Sequence, residues 1–328
     1  MTTTSAPDFA LIIPTHERPG FVVQAVESAL RQERPFDQII VVPDGLDDPA
    51  VTALQGLPVE VHPIAHAGVA AARNAGVSIA HTAWVCFLDD DDLLHPAYLG
   101  DLDAAVRAHP GCGAFNAPYW SFAAVAGPRD EFAATTLDDC LDAAPSAQTR
   151  TDMTYLEIAG RSFDALLGGL RGSMSTAAVR TDILRRAGGF PEDLIAAEDW
   201  TMYVNVARLT EWRVLPERRA FFREHGRNAM GGASPQKGLS VLRAIRSFWQ
   251  PSTLPTPPHR PLVCFRRNYR YELLHALEAC RRNRDRAAFR EAMLIARDIL
   301  PRRWDRFFAR MPRLVRSAMW RLERGARR

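Results

Sequence analysis

The stretch Trp84-Val85-Cys86-Phe87-Leu88-Asp89-Asp90-Asp91-Asp92 runs five apolar residues straight into four carboxylates. A continuous apolar run of that length reads as a strand buried on both faces, as in a parallel sheet. Such a strand carries the aspartates to the rim of the core. Two like charges about 5 Å apart repel by roughly 3 kcal/mol at an effective dielectric of about 20, so a cluster there is tolerable when a cation neutralises it. Carboxylate oxygens suit Mg2+ or Mn2+, and Mg2+ usually keeps part of its shell for water and substrate phosphates. The stretch therefore predicts a sheet whose strand end holds a metal-bridged diphosphate.

Outward from it, residues 9–13 (Phe-Ala-Leu-Ile-Ile) and 38–42 (Gln-Ile-Ile-Val-Val) are further apolar runs, closed by Pro14 and Pro43. Between them Pro19 can open a helix, and Val22, Val23, Val26, Ala29 and Leu30 recur at helical spacing. A weaker strand is expected over residues 59–64, a Gly/Ala-rich helix over 68–79 and a strand over 83–88. Past the aspartates, a helix is expected over 96–109, a strand over 112–122 and another over 173–179. A helix capped by Thr181 and closed by Gly188-Gly189 follows, and one more begins near Glu198. This alternation predicts an open α/β sheet with ligands at the carboxyl ends of its strands. Residues 127–164 break the rhythm with eight acids against three arginines. They read either as an inserted loop that shapes a substrate site or as a solvated excursion.

With 47% apolar and 24% charged residues over 328 positions, the chain excludes global disorder, collagen and coiled coil, and it can bury a core without staples. No run approaches the roughly 18 apolar residues of a membrane span, and the start Met1-Thr2-Thr3-Thr4 lacks the basic opening of a signal peptide. A cytoplasmic location is the expectation. The five cysteines (Cys86, Cys112, Cys140, Cys264 and Cys280) are widely spaced without a C-x-x-C, so they read as reduced packing residues rather than disulfide or zinc ligands.

Charge is uneven along the chain. Residues 260–328 hold 20 arginines and seven acids, net +13, which leaves −10 on residues 1–259 of a chain with formal charge +3. Residues 251–261 contain five prolines and read as a linker. Amphipathic helices are expected beyond it, one lined by Leu273, Leu274 and Leu277, another by Phe289, Met293, Ala296 and Leu300. A last segment sets Phe307, Met311, Leu314, Val315, Ala318 and Leu322 apart from Arg306, Arg310, Arg313, Arg316 and Arg324. Solvated packing helices are one reading of this tail, and peripheral contact with an anionic membrane, at its inner face, is another. No recognised motif accompanies the charge to make nucleic acid a partner.

Four motifs now stand in order: Ile12-Ile13-Pro14-Thr15-His16-Glu17-Arg18, Val41-Val42-Pro43-Asp44-Gly45, Ala72-Arg73-Asn74-Ala75-Gly76 and Phe87-Leu88-Asp89-Asp90-Asp91-Asp92. In that order and spacing they resemble the inverting family 2 glycosyltransferases, with their GT-A fold and D-x-D motif, over about residues 9–230. The resemblance implies that Pro14, Thr15, Glu17 and Asp44 meet the nucleotide base, that Arg73 lies near the nucleotide, and that Asp89 and Asp90 approach the ribose and phosphates. Asp91 matches the metal ligand, the ion being Mn2+ or Mg2+. Pro43 stands where the family usually has a second acid, and His16 and Glu17 replace the more usual Tyr and Asn.

Gly188-Gly189-Phe190 followed by Glu198-Asp199-Trp200 resembles the family element that supplies the catalytic base, and Asp199 matches it. Acids in a helix's first turn also simply complement its dipole. Glu198 is then an acid supporting the helix start on the acceptor side, and Trp200 either packs or stacks on a sugar. Arg223-Glu224-His225 is similar to a late R-x-H element in which His225 reaches the diphosphate or metal.

The expected organisation is thus a GT-A domain over residues 1–250, with a nucleotide half near 9–110 and an acceptor half near 111–250, then a Pro-rich linker and basic helical extension over 251–328. The expected activity is sugar transfer from a nucleoside-diphosphate donor, UDP-sugar favoured, to a glycan, lipid-linked or small-molecule acceptor. A non-catalytic nucleotide-sugar-binding scaffold of the same fold is the alternative. A phosphoryl-transfer site built on the aspartates is disfavoured, because no Thr or Val follows an Asp-x-Asp pair at the second position and no P-loop is present.

Overall fold

The computed structural model describes residues 6–127, 130–147, 160–225, 234–300 and 302–303. Strands β1 (Phe9–Thr15), β2 (Gln38–Pro43), β3 (Glu60–Val61) and β4 (Trp84–Phe87) are mutually parallel. With β6 (Ala114–Asn116), β9 (Ala178–Arg180) and β10 (Trp212–Val214) they make a seven-stranded sheet in the order β10-β6-β9-β4-β1-β2-β3. Strand β9 runs antiparallel to both its neighbours, so the sheet is mixed. A second sheet takes β5 (Leu93–Leu94), β7 (Tyr119–Ala123), β8 (Phe132–Ala133) and β11 (Ala220–Arg223) in the order β5-β11-β7-β8.

Alternate residues of the buried strands feed two cores. Phe9, Leu11 and Ile13 pack with α1 (Pro19–Leu30), α2 (Ala50–Ala53) and α4 (Tyr98–Ala108) on one face. Ala10, Ile12 and Phe87 face the other way, toward α3 (Val69–Ile79), α6 (Ser162–Leu167), α7 (Thr181–Arg186) and α8 (Glu198–Ala207). Gly76 permits α3 to lie directly on β1, since a Cβ there would stand 2.5 Å from Ile12 Cγ2. That close approach fixes Arg73, one turn earlier, over the end of β4.

Three local expectations are corrected. The strand expected over residues 112–122 is two strands in different sheets, because Pro118 has no N–H for a ladder and the chain changes sheet there. The strand expected over 173–179 opens instead as a 3-10 turn, Met174–Thr176, capped by Ser173, and only then becomes β9. Thr181 is the first helical residue rather than the cap of α7; its hydroxyl donates to the Thr82 carbonyl. The closing glycines are as expected, both with positive φ (90° and 65°).

Within the 127–164 stretch, β8 and α5 (Leu137–Ala143) form a small third core with Leu93, Phe122 and Phe221. After the sheet, α9 (Pro235–Phe248), α10 (Arg266–Arg282) and α11 (Arg286–Ile299) pack on one another and into the same core as α8. Leu273, Leu277, Met293, Ala296 and Leu300 are buried there. The Pro-rich stretch between α9 and α10 is irregular but tied down, with Arg260 Nε 2.9 Å from Asp164 Oδ2. The amphipathic segment read from Phe307 to Leu322 lies outside the described residues. Among the described residues no helix is long and apolar enough to cross a membrane.

Candidate active site

Three parallel strands end side by side and each delivers a polar group. Pro14 is buried inside β1, and the Thr15 hydroxyl at the end of that strand donates to Asp90 Oδ2 at 2.7 Å. Glu17 follows on an exposed loop in the left-handed region (φ 52°), its N–H held 2.7 Å from Asp48 Oδ2. Beyond β2, buried Asp44 accepts the N–H groups of Ala67 and Gly68 at 2.7 and 2.9 Å, fixing the loop that opens α3. Beyond β4 come the four aspartates.

The second sheet closes the other side. Strand β11 pairs antiparallel with β5, Ala220 opposite Leu94 and Phe221 opposite Leu93. Continuing that register sets Arg223 across from Asp91, and the Arg223 guanidinium does reach the Asp91 carbonyl at 2.8 Å while its N–H reaches Asp92 Oδ1 at 2.9 Å. Two residues on, His225 Nε2 lies 2.9 Å from Asp91 Oδ2. The two candidate metal ligands, 134 residues apart in sequence, therefore meet.

Helix α8 supplies the third side. Its preceding residue, Ala197, is left-handed (φ 64°, ψ 19°), an uncommon conformation for a residue with a Cβ. It starts the helix so that Glu198 and Asp199 occupy the first turn. Arg73, only 4% exposed, donates to Asp89 Oδ1 at 2.7 Å and to Glu198 Oε1 at 3.0 Å. It thereby joins the aspartate motif to the helix start. Trp200 is 6% exposed, its indole N–H donates to the Leu166 carbonyl at 2.7 Å, and its ring meets Phe248 edge-on. Of the two roles left open for Trp200 on the acceptor side, the structure shows packing, because a ring held in the core is not presented to a sugar.

Burial dominates the electrostatics. It raises Asp89 above the usual carboxylate range against the opposing pull of Arg73, raises Asp90 to about 6 against Arg18 and Thr15, and raises Asp92 well above that range with Asp91 and Asp89 adding to the effect. Asp199 is raised to about 7 by burial first and by the Glu198 charge second, with Arg73 and the Trp200 N–H opposing. A carboxyl poised near neutrality suits general-base work. For Arg73, burial pulls the guanidinium pKa down, yet Asp89 and Glu198 hold it above the ordinary value.

The donor chemistry fits a divalent cation. Crowded carboxylates with raised pKa values and an imidazole aimed at Asp91 offer the oxygen and nitrogen donors that Mn2+ accepts, and the oxygens alone suit Mg2+.

Two participants escaped the sequence reading. Arg18 Nη1 donates to Asp90 Oδ1 at 3.0 Å and to Asp91 Oδ2 at 2.7 Å, partly neutralising the motif. Ser175 donates from its hydroxyl to Asp92 and accepts the Asp89 N–H. Arg18 stands inside the first quoted motif, so its charge was visible; Ser175 carries no local signal at all.

Residues 10–124 match the family model of glycosyl transferase family 2. Succinoglycan biosynthesis protein ExoO of Rhizobium meliloti (strain 1021) is 33% identical over 94 residues, 27% of this chain and 27% of that protein. Glycosyltransferase EpsJ of Bacillus subtilis (strain 168) is 27% identical over 119 residues, 34% of this chain and 35% of that protein. The chain thus matches 27% and 35% of the length of these two relatives. Among solved structures, S. aureus TarS 1-349 in complex with UDP-GlcNAc has a TM-score of 0.63 at 16% identity, covering 89% of this chain and 81% of that one. The mannosyltransferase PcManGT from Pyrobaculum calidifontis, in complex with GDP-Man and Mn2+, has a TM-score of 0.53 at 18% identity, covering 93% and 84%. The fold is the GT-A fold of these structures.

Proposed function

We propose, from the match of residues 10–124 to glycosyl transferase family 2, that this chain is a metal-dependent inverting glycosyltransferase with Asp199 as its general base. Nucleotide-sugar transfer as such is supported by that match and by the glycosyltransferase relatives. The observation that carries the finer reading is Asp199: a carboxyl raised to about 7, at the start of α8, joined through Glu198 and Arg73 to the aspartate motif.

In this reading Asp199 takes the proton from an acceptor hydroxyl while that oxygen attacks the anomeric carbon. The bond from that carbon to the diphosphate oxygen breaks as the new one forms, so a single displacement inverts the configuration. Asp91 and His225 are the residues that would hold Mn2+ or Mg2+, with Asp89 and Asp90 toward the ribose and phosphates. When bound, the ion stabilises the charge developing on the departing diphosphate. Arg73 keeps Glu198 and Asp89 in fixed relation, and the loops carrying Pro14, Thr15, Glu17 and Asp44 take the base.

The UDP-GlcNAc bound by TarS supports a UDP-sugar as the donor, and the succinoglycan biosynthesis named for ExoO supports a glycan acceptor, with lipid-linked or small-molecule acceptors as alternatives. Incubation with UDP-sugars, Mn2+ and an acceptor panel tests the proposal, following UDP release and the anomeric proton of the first-formed product. Turnover with inversion, lost in Asp199→Asn, supports it. Donor binding without turnover over a broad panel would instead favour a nucleotide-sugar-binding scaffold.

A further inference from the structure

Beside the aspartate motif, a second constellation stands at the ends of three neighbouring parallel strands. His16 follows β1, Asp44 follows β2 and His66 follows β3, and the sheet order β1-β2-β3 is what brings them together. One ligand atom from each lies within 4.8 Å of the others. Both imidazoles turn the same nitrogen inward: His16 Nδ1 is 3.0 Å from the Asp44 carbonyl, and His66 Nδ1 is 3.1 Å from that carbonyl and 3.0 Å from Asp44 Oδ2. The rings stack with centroids 4.6 Å apart.

We propose that His16, Asp44 and His66 form a binding site for a borderline divalent transition-metal ion such as Zn2+, Co2+ or Ni2+, separate from the carboxylate site of the aspartate motif. Ligand atoms about 2.1 Å from a common ion are about 3.4 Å apart in a tetrahedral site and about 3.0 Å apart in an octahedral one; the His66 Nδ1 to Asp44 Oδ2 spacing is 3.0 Å, nearer the octahedral value. Two imidazoles and one carboxylate are a donor set for these ions rather than for Mg2+. The carboxylate is already oriented by the Ala67 and Gly68 N–H groups, the support that metal-ligating carboxylates typically have. A second buried carboxylate, Asp48, lies 3.8 Å from His16 Nδ1 and adds negative potential. The imidazole side chains are 48% and 66% exposed, so an ion can enter from solvent. Without an ion both Nδ1–H groups donate to the Asp44 carbonyl, which can only accept; an ion replaces these two hydrogen bonds, and each ring then carries its proton on Nε2. A bound ion would clamp the loop after β1 to the loop opening α3 and, because it takes the Asp44 side chain placed above at the nucleotide base, would compete with the base for that residue.

Titration of the whole protein with Co2+ in the presence of excess Mg2+ tests this, with visible ligand-field absorption and thermal unfolding as readouts. The wild type is expected to show saturable imidazole-dependent bands and a Tm that rises with Co2+. The double variant His16→Ala, His66→Ala, which removes only exposed rings, should bind at least about tenfold more weakly. His225→Ala should retain the bands, which separates this site from the aspartate motif. Equal Co2+ affinity in the double variant and the wild type, or loss of the bands in His225→Ala alone, would overturn the proposal.

Discussion

Arg73 of α3 donates to Glu198 of α8 at 3.0 Å, joining residues 125 positions apart across the end of the sheet. The same guanidinium holds Asp89 at 2.7 Å, so one buried cation sets the distance between the aspartate motif and the helix that carries Asp199. Removing it leaves two acids facing each other without a counter-charge. Breaking a buried pair in this way costs about 3–5 kcal/mol. Arg73→Ala should therefore lower stability by that order in urea unfolding and abolish transfer. Arg73→Lys, a point charge without the fork, should keep more stability than turnover.

Asp199 links pH to both activity and stability. Transfer needs its carboxylate, so the acid limb of kcat/KM should fall near pH 7, where burial and Glu198 set its pKa. Its folded pKa lies above the unfolded one, so the stability it contributes is present below the unfolded carboxylate pKa and is lost as pH rises through about 7. Asp199→Asn resembles the protonated form. It should unfold at a higher temperature than wild type at pH 8 while turning over roughly 100- to 10,000-fold more slowly.

Helices α9 and α10 cross closely at Gly238, where an added Cβ would stand 2.7 Å from Ala276 Cα. Gly238→Val should force them apart at a cost of about 1–3 kcal/mol. Thermal unfolding should show the loss. Nucleotide binding at low temperature should be unaffected, since neither helix carries a residue of the candidate site.

Much of this was legible in the chain. The apolar run ending at Leu88 announces a buried strand by itself, and the acids after it are placed at its carboxyl end by strand geometry alone. Glu198-Asp199 could be assigned to a helix start from local spacing and resemblance. Partnerships across the fold were not legible. That Arg73 faces Glu198 depends on Gly76 letting α3 settle on β1, and that His225 meets Asp91 depends on the register of β5 and β11. Trp200 reads equally well as packing or stacking until α6 and α9 are seen to enclose it. The strand over 112–122 failed for a visible reason, Pro118, whose missing N–H outweighs the apolar residues around it.

The basic tail gives a prediction independent of the active site. If it rests on anionic lipid, the full chain should sediment with phosphatidylglycerol vesicles at low salt, and removal of residues 302–328 should abolish this. Equal sedimentation of the two forms would end the membrane reading.

The central claim is a metal-bridged nucleoside diphosphate held against Asp91. Calorimetric titration with UDP, GDP, CDP and dTDP, each with Mn2+, Mg2+ or EDTA, tests it most directly. Selective binding of one diphosphate, lost with EDTA and lost in Asp91→Ala, is the result the account predicts. Absence of binding to every diphosphate, or binding indifferent to both EDTA and Asp91→Ala, would contradict it.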